Sequence, residues 1–263
     1  MRTIDLHGRN DPWLVMVHGF TQDSRYFSAQ LADFQDDFRI ALIDLRGHGQ
    51  AAQLPGPYGI EEYADDIAVA LDRAGIERAH YWGTHTGAAV GLILALRQPE
   101  RLVSLVLEGP SLPGSAMPKV AELIERARSI AHSRGLAEAR EDWFYRADWF
   151  AHMRQYPERC RAEAHRAMIR EFAGNPWLSE QVARPVTPVA EHLAEIRQPV
   201  LVYNGDSDLD EFKQAAARLE AGLAQVHRQE IAQAGGFPAW ESPETVNALV
   251  GDFLAGGIRC SPA

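Results

Sequence analysis

The sequence predicts an α/β domain with a mostly parallel central sheet flanked by helices, and three observations carry that expectation. Short apolar runs recur at residues 13–17, 38–43, 80–82, 102–107 and 200–203, as expected of strands buried on both faces. Helical periodicity fills several of the intervals between them, the alternation that a parallel sheet needs for its crossovers. Between residues 109 and 199 the rhythm changes. That stretch is rich in Arg, Glu, Ala and aromatic residues at helical spacing and has no strand-like run.

Taken in order, residues 13–17 run straight into Gly19, and residues 38–43 precede a turn at 46–49. Ile60, Tyr63, Ile67 and Leu71 recur at intervals of three and four, marking an amphipathic helix that ends near Gly75. The run at 80–82 leads into Gly83–Gly87, and the helix expected at 88–98 is apolar almost all round, as for one packed centrally on a sheet. Residues 102–107 and 200–203 supply the fourth and fifth strands. The helical stretch begins after SLPGSAMP and ends near residues 197–199. The expected organisation is therefore a core at 1–110 and 199–263 with an inserted helical cap at 111–198, the plain alternative being ordinary core helices.

Composition narrows the function classes. A chain of 263 residues buries about 70–75% of its unfolded surface and needs neither disulfide nor metal to stand. The formal charge of −10 argues against nucleic acid or an anionic membrane as the main partner. The N-terminus lacks the pattern of a signal peptide, and no stretch approaches the roughly 18 apolar residues of a membrane span. A cytoplasmic protein, monomer or homodimer, is expected. Cys160 and Cys260 are far apart and not in a metal spacing; reduced thiols are the expectation, with a disulfide left open. Residues 256–263 read as a frayed tail.

Four landmarks fall in a fixed order: His18-Gly19-Phe20, Asp44-Leu45-Arg46-Gly47-His48-Gly49, Gly83-Thr84-His85-Thr86-Gly87, and Gly205-Asp206-Ser207-Asp208. Pro238-Ala239-Trp240-Glu241-Ser242-Pro243 follows before the last helix. Together they resemble the α/β-hydrolase superfamily, in its epoxide-hydrolase, esterase and C–C-hydrolase branch, from about residue 13 to residue 254. The resemblance implies an α/β-hydrolase fold in which Gly83–Gly87 is a sharp strand-to-helix turn that lifts its central side chain above the sheet. It also implies an oxyanion hole made by the backbone N–H groups of Phe20 and Thr86.

The same resemblance exposes two departures. His85 stands at the nucleophile position, and Gly236 stands where the family's histidine belongs, in Ala234-Gly235-Gly236-Phe237-Pro238. Asp208 remains at the usual acid position, and Glu108 resembles an alternative acid position used by some members, including cofactor-free quinolone dioxygenases. A serine triad needs a hydroxyl nucleophile, a base and an orienting acid, and this chain keeps only the third. One reading is that the imidazole has moved: the His85 ring extends toward the volume Gly236 vacates and meets Asp208, or Glu108, as a general acid–base pair. Lyase, isomerase or cyclase chemistry, water-mediated hydrolysis and cofactor-free oxygenation all fit such a pair. The other reading is a catalytically inactive binding protein whose pocket survives because fold and cap build it.

Other residues have plainer readings. His18 is expected to shape the oxyanion loop and line the substrate site with Gly236 and Phe237, and His48 to be structural. His132, His152, His165 and His192 lie in the expected cap and are mostly expected in solvent, with room for one to face the pocket. Trp143, Phe144, Trp149 and Phe150 recur at helical spacing; Trp143 and Trp149 are taken as a roof over a flat, aromatic or apolar small-molecule substrate. Dispersed histidines and the absence of HExxH or CxxC imply no metal, and no phosphate-cradling loop or other cofactor signature is present.

Overall fold

The computed structural model describes residues 3–258, so the expected tail at 256–263 and the Cys260 thiol fall partly or wholly outside it. Seven strands form one sheet: β1 (Ile4–His7), β2 (Trp13–Val17), β3 (Arg39–Ile43), β4 (Ala79–Thr84), β5 (Leu102–Glu108), β6 (Val200–Gly205) and β7 (Val226–Ile231). Their order is β1-β3-β2-β4-β5-β6-β7, with β1 antiparallel to β3 and every other pair parallel. Alternate residues feed two cores. Leu14, Met16, Trp82, Val106 and Leu201 pack on one face, and Val15, Val17, Tyr81, Leu105 and Val202 on the other, the period-two alternation of a strand.

The register positions the site. Val17 pairs with Gly83, Gly83 with Leu107, Thr84 with Glu108, and Glu108 with Tyr203. The carboxyl ends of β2, β4, β5 and β6 therefore lie side by side, and the loops that leave them share the edge where open parallel sheets bind ligands. The helix Ile60–Ala74 forms where expected, buries Tyr63, Ile67 and Leu71, and stops at Gly75, which has φ of 67°. The helix Thr86–Arg97 is buried on nearly all sides. Between β5 and β6 the described chain makes no strand, only helices: Pro118–Arg134, Leu136–Arg146, Ala151–Gln155, Ala162–Glu171 and Asn175–Leu178, followed by short 3-10 turns.

Two strands escape the reading of apolar runs. β1 and β7 are edge strands, half-buried, with sequences IDLH and VHRQEI; one solvated face replaces the continuous apolar run by alternation too short to stand out.

The turn between β4 and its helix demands small residues. A Cβ on Gly83 would come within 2.6 Å of the Ala88 nitrogen, and one on Gly87 within 2.9 Å of the His18 carbonyl oxygen. Because those neighbours are backbone, they cannot swing away. Gly83→Ala is expected to destabilise by about 3 kcal/mol. Gly75→Ala, where the space is open and only the positive φ is strained, is expected to cost about 1 kcal/mol. Urea-denaturation midpoints of the two variants test this contrast.

Candidate functional site

A single residue separates β4 from its helix. His85 has φ 46° and ψ −100°, a backbone conformation that costs a residue bearing a β-carbon about 1–3 kcal/mol. Its N–H donates to the Glu108 carbonyl (2.9 Å) and its carbonyl accepts from the Ala89 N–H (3.1 Å), so neighbouring elements grip the strained residue from both sides. The side chain is lifted off the sheet edge, as a nucleophile would be.

The ring stands among apolar faces. Its centroid lies 4.9 Å from that of Phe212 and 5.1 Å from that of Phe237. Neither Nδ1 nor Nε2 has a hydrogen-bond partner among the described residues. Burial pushes the imidazole pKa down to about 4, leaving the ring neutral at pH 7 with one donor and one acceptor nitrogen. A Cβ on Gly109 would come within 2.9 Å of Nε2. The ring therefore occupies the space that Gly109, with φ of 47°, leaves by having no side chain.

This corrects the expected direction of the ring. The volume beside Gly236 is already closed: a Cβ there would meet the Trp149 carbonyl at 3.1 Å and Asp208 Oδ1 at 3.3 Å. The expected hydrogen bond from His85 to Asp208 or Glu108 is not formed. Asp208 accepts from Asn204 Nδ2 and the Leu209 N–H, each at 2.7 Å. Glu108 accepts from the Tyr26 hydroxyl and, at 2.7 Å, from the Ala239 N–H. Both carboxyls are spoken for by scaffold groups. Burial pushes Asp208 up to about 7 and Glu108 up to about 8, against the lowering effect of those hydrogen bonds.

A cavity of about 340 Å³ opens on the ring. Phe20, Thr86, Phe237, Trp143 and Trp149 line it, while His18, Gly236, Asp208 and Glu108 do not. His18 is a loop residue: its Nε2 accepts from the Leu45 N–H (3.1 Å) and its Nδ1 meets the Gly19 carbonyl (2.7 Å). Among the described residues the N–H groups of Phe20 and Thr86 donate to no acceptor in the chain; Thr86 opens a helix, where such donors are unsatisfied by geometry. Trp143 Nε1 donates to Thr21 Oγ1 at 2.9 Å, fastening the helical segment to the loop after β2. His152 and His165 are buried rather than solvated, and neither lines the cavity. Sequence reading did not single out Phe212, Tyr58 or Tyr63 as cavity residues. The only signal for Phe212 was its place in the first turn after the acidic loop.

The fold also gathers His152, Cys160 and Glu241, whose ligand atoms lie within 4.8 Å of one another, a cluster that dispersed sequence positions hide. Arg159 already donates to His152 Nε2 at 2.6 Å, and its positive charge disfavours a second cation there. No described helix is long and apolar enough to cross a membrane.

Residues 12–135 match the family described as alpha/beta hydrolase fold. A protein named "Putative carbamate hydrolase RutD" from Agrobacterium fabrum is 30% identical over 232 residues, 84% of this chain and 85% of its own. The chain belongs to the α/β-hydrolase fold family. Solved members superpose closely. The enol-lactonase of Burkholderia xenovorans LB400 gives a TM-score of 0.83 at 23% identity, covering 96% of this chain and 95% of that one. A hydrolase from Pseudomonas aeruginosa gives 0.80 at 26%, covering 95% and 93%. These likenesses fix the mostly parallel sheet with its flanking helices as the family's own.

The buried titratable groups dictate how stability changes with pH. Asp208 (about 7), Glu108 (about 8) and Glu241 (about 7) are raised by burial, so the folded chain keeps protons that the unfolded chain has released, and stability falls as pH rises through 7–8. His48 (about 3), His85 (about 4) and His165 (about 3) are lowered by burial; their contribution is present above about 6.5 and lost as pH falls toward 3–4. Between about 4 and 6.5 the two sets oppose each other, and above 6.5 only the carboxyls act. The urea midpoint is expected to drop between pH 6.5 and 9. Asp208→Asn, with Asn204 free to turn its unpaired Oδ1 toward the new amide, is expected to shrink that drop.

Proposed function

We propose that this chain is a small-molecule enzyme of the α/β-hydrolase family that works without a serine nucleophile, with neutral His85 as its general base and acid. The observation that carries the reading is the His85 ring itself: held on a strained bend, both nitrogens unpartnered, facing a cavity. Buried polar atoms without partners are costly, and a bound substrate or water removes that cost. The acceptor nitrogen takes a proton from a water or from an acidic C–H of the substrate, and the electron pair stays on the water oxygen or the substrate. With water, the oxygen attacks the carbonyl and the charge moves to the carbonyl oxygen. In both cases the oxyanion faces the Phe20 and Thr86 N–H groups. His85 then returns the proton to the leaving group or to the product carbon.

Energetics favour this despite the depressed pKa. A fall from 6.5 to about 4 corresponds to about 3 kcal/mol against protonation in the free site. Once the substrate carries the negative charge, an ion pair about 4 Å apart at an effective dielectric of about 20 contributes about 4 kcal/mol the other way. The base is therefore weak when the cavity is free of anion and adequate when the anion is formed. The carbamate-hydrolase name carried by the relatives accords with the water-activating outcome. Asp208 and Glu108 serve in this reading as ties between sheet and loops, and the helical segment at 111–198 acts as the cap.

One observation favours a second reading, a ligand-binding protein without turnover: among the described residues no carboxylate orients the imidazole. Two assays separate them, hydrolysis of 4-nitrophenyl esters, lactones and aryl carbamates, and deuterium uptake from D2O into C–H-acidic aryl ketones followed by NMR. General acid–base participation accounts for about 10²–10⁴-fold, so His85→Ala is expected to lower turnover by at least about 100-fold with a denaturation midpoint near wild type. A serine-directed fluorophosphonate is expected to leave the chain unlabelled. Turnover unchanged in His85→Ala would remove the imidazole from the mechanism, and ligand binding with no turnover by either protein would establish the second reading.

A further inference from the structure

Val120, Ile124 and Arg128 are spaced by four along the helix Pro118–Arg134, so they stand one above another on a single face. All three line the cavity. The first two continue its apolar wall, and the third interrupts that wall with a permanent positive charge. Among the described residues that line the cavity, Arg128 is the only charged side chain beside a neutral His85, and no Asp or Glu is among them. In a chain of net charge −10, an acid-free cavity holding one guanidinium is a local inversion of sign.

Among the described residues the charge of Arg128 meets only one, weakly placed carboxylate. That carboxylate is Glu125, 3.7 Å from Nε and 76% exposed, a surface pair of the kind that contributes little. Nη1 and Nη2 donate to the carbonyls of Pro176 (3.2 Å) and Ser179 (3.1 Å), which hold the guanidinium in place and leave its full charge and remaining N–H donors available. The side chain is one-third exposed, whereas His85 is 8% exposed, so the guanidinium is the more open of the two to solvent. The cavity thus combines one polar, uncharged imidazole, aromatic walls that include Phe20, Trp143, Trp149 and Phe212, and one more exposed cationic side chain.

We infer that Arg128 is a specificity residue that receives a carboxylate of the substrate, whose flat apolar body lies between it and His85. A guanidinium fork matches a planar carboxylate in a way an ammonium does not, and the surrounding apolar wall strengthens the pair by excluding water. The inference rests on the reading that this cavity is the substrate site. It selects, within the small molecules that reading allows, aromatic or alicyclic acids over their neutral analogues.

Binding of matched pairs decides it: benzoate, cinnamate and 2-naphthoate against benzamide, cinnamamide and 2-naphthamide, at pH 7.5 and low salt. Quenching of tryptophan fluorescence reports occupancy, since Trp143 and Trp149 line the cavity, and calorimetry confirms it. The expected result is that at least one acid binds about tenfold or more tightly than its amide. Arg128→Gln reduces that preference to within about twofold with the amide's affinity little changed, and Arg128→Lys retains part of it. A merely structural role for Arg128 would shift the denaturation midpoint without moving the acid-to-amide ratio. If Arg128→Gln does not fold, the wild-type ratio and its salt dependence, together with the Lys variant, still decide. Equal binding of acids and amides, or a preference that survives Arg128→Gln, overturns the inference and leaves the cavity reading standing. Binding of neither series overturns the cavity reading and this inference with it.

Discussion

The bend at His85 is the constraint on which the site depends. A backbone at φ 46° between a buried strand and a buried helix holds only because Gly83 and Gly87 let three backbones come closer than any Cβ permits, and because Glu108 and Ala89 bond the residue on both sides. The strain is local and the compensation is spread over β2, β4, β5 and the helix that follows. In exchange, one side chain is presented above the sheet with no freedom to retreat into it, beside the first unsatisfied N–H of a helix. Whatever occupies position 85 is thereby offered to the cavity.

An imidazole offered in this way differs from one in a triad. Histidines in hydrolytic triads are held by a carboxylate that fixes the tautomer and raises the proton affinity. His85 has aromatic neighbours instead, and its proton affinity is set by burial. The two acids that such a ring would use are consumed as structural ties: Glu108 joins β5 to Tyr26 and to the turn at Ala239, and Asp208 joins the end of β6 to Leu209. The ring is neutral at pH 7, and no described Asp or Glu lines the cavity. Among the described residues of the wall the one permanent charge is Arg128, which is one-third exposed.

Much of this was legible in the sequence. Buried parallel strands advertise themselves as continuous apolar runs, which is why β2 to β6 and the elbow at 83–87 were readable, and why the resemblance that rested on those landmarks agrees with the family match. The edge strands β1 and β7 were not, since solvation of one face dilutes the apolar signal in four- and six-residue segments. Trp143 and Trp149, read from the sequence as a roof, and Phe20 and Thr86, read as oxyanion donors, all line the cavity. The direction of the His85 ring was not readable, because it depends on which of two glycines leaves usable space: Trp149 closes the volume at Gly236, and Gly109 leaves its own open. That comparison needs long-range packing that no local pattern contains. The burial of His152 and His165 escaped for the same reason, as polar residues in helices read as solvated until a neighbouring element covers them.

The central claim is a neutral, carboxylate-free imidazole exposed to the cavity, and its most direct test is the titration of that ring. Histidine side-chain resonances followed by NMR from pH 3 to 9, with the His85 signal assigned by its absence in His85→Ala, give its proton affinity in the folded protein. The account expects a midpoint near 4, well below the ordinary 6.5, that moves upward when an anionic ligand enters the cavity. A midpoint at or above 6.5 in the free protein, with the low-field ring proton of a carboxylate-bonded imidazole, would contradict it and restore an acid–histidine pair.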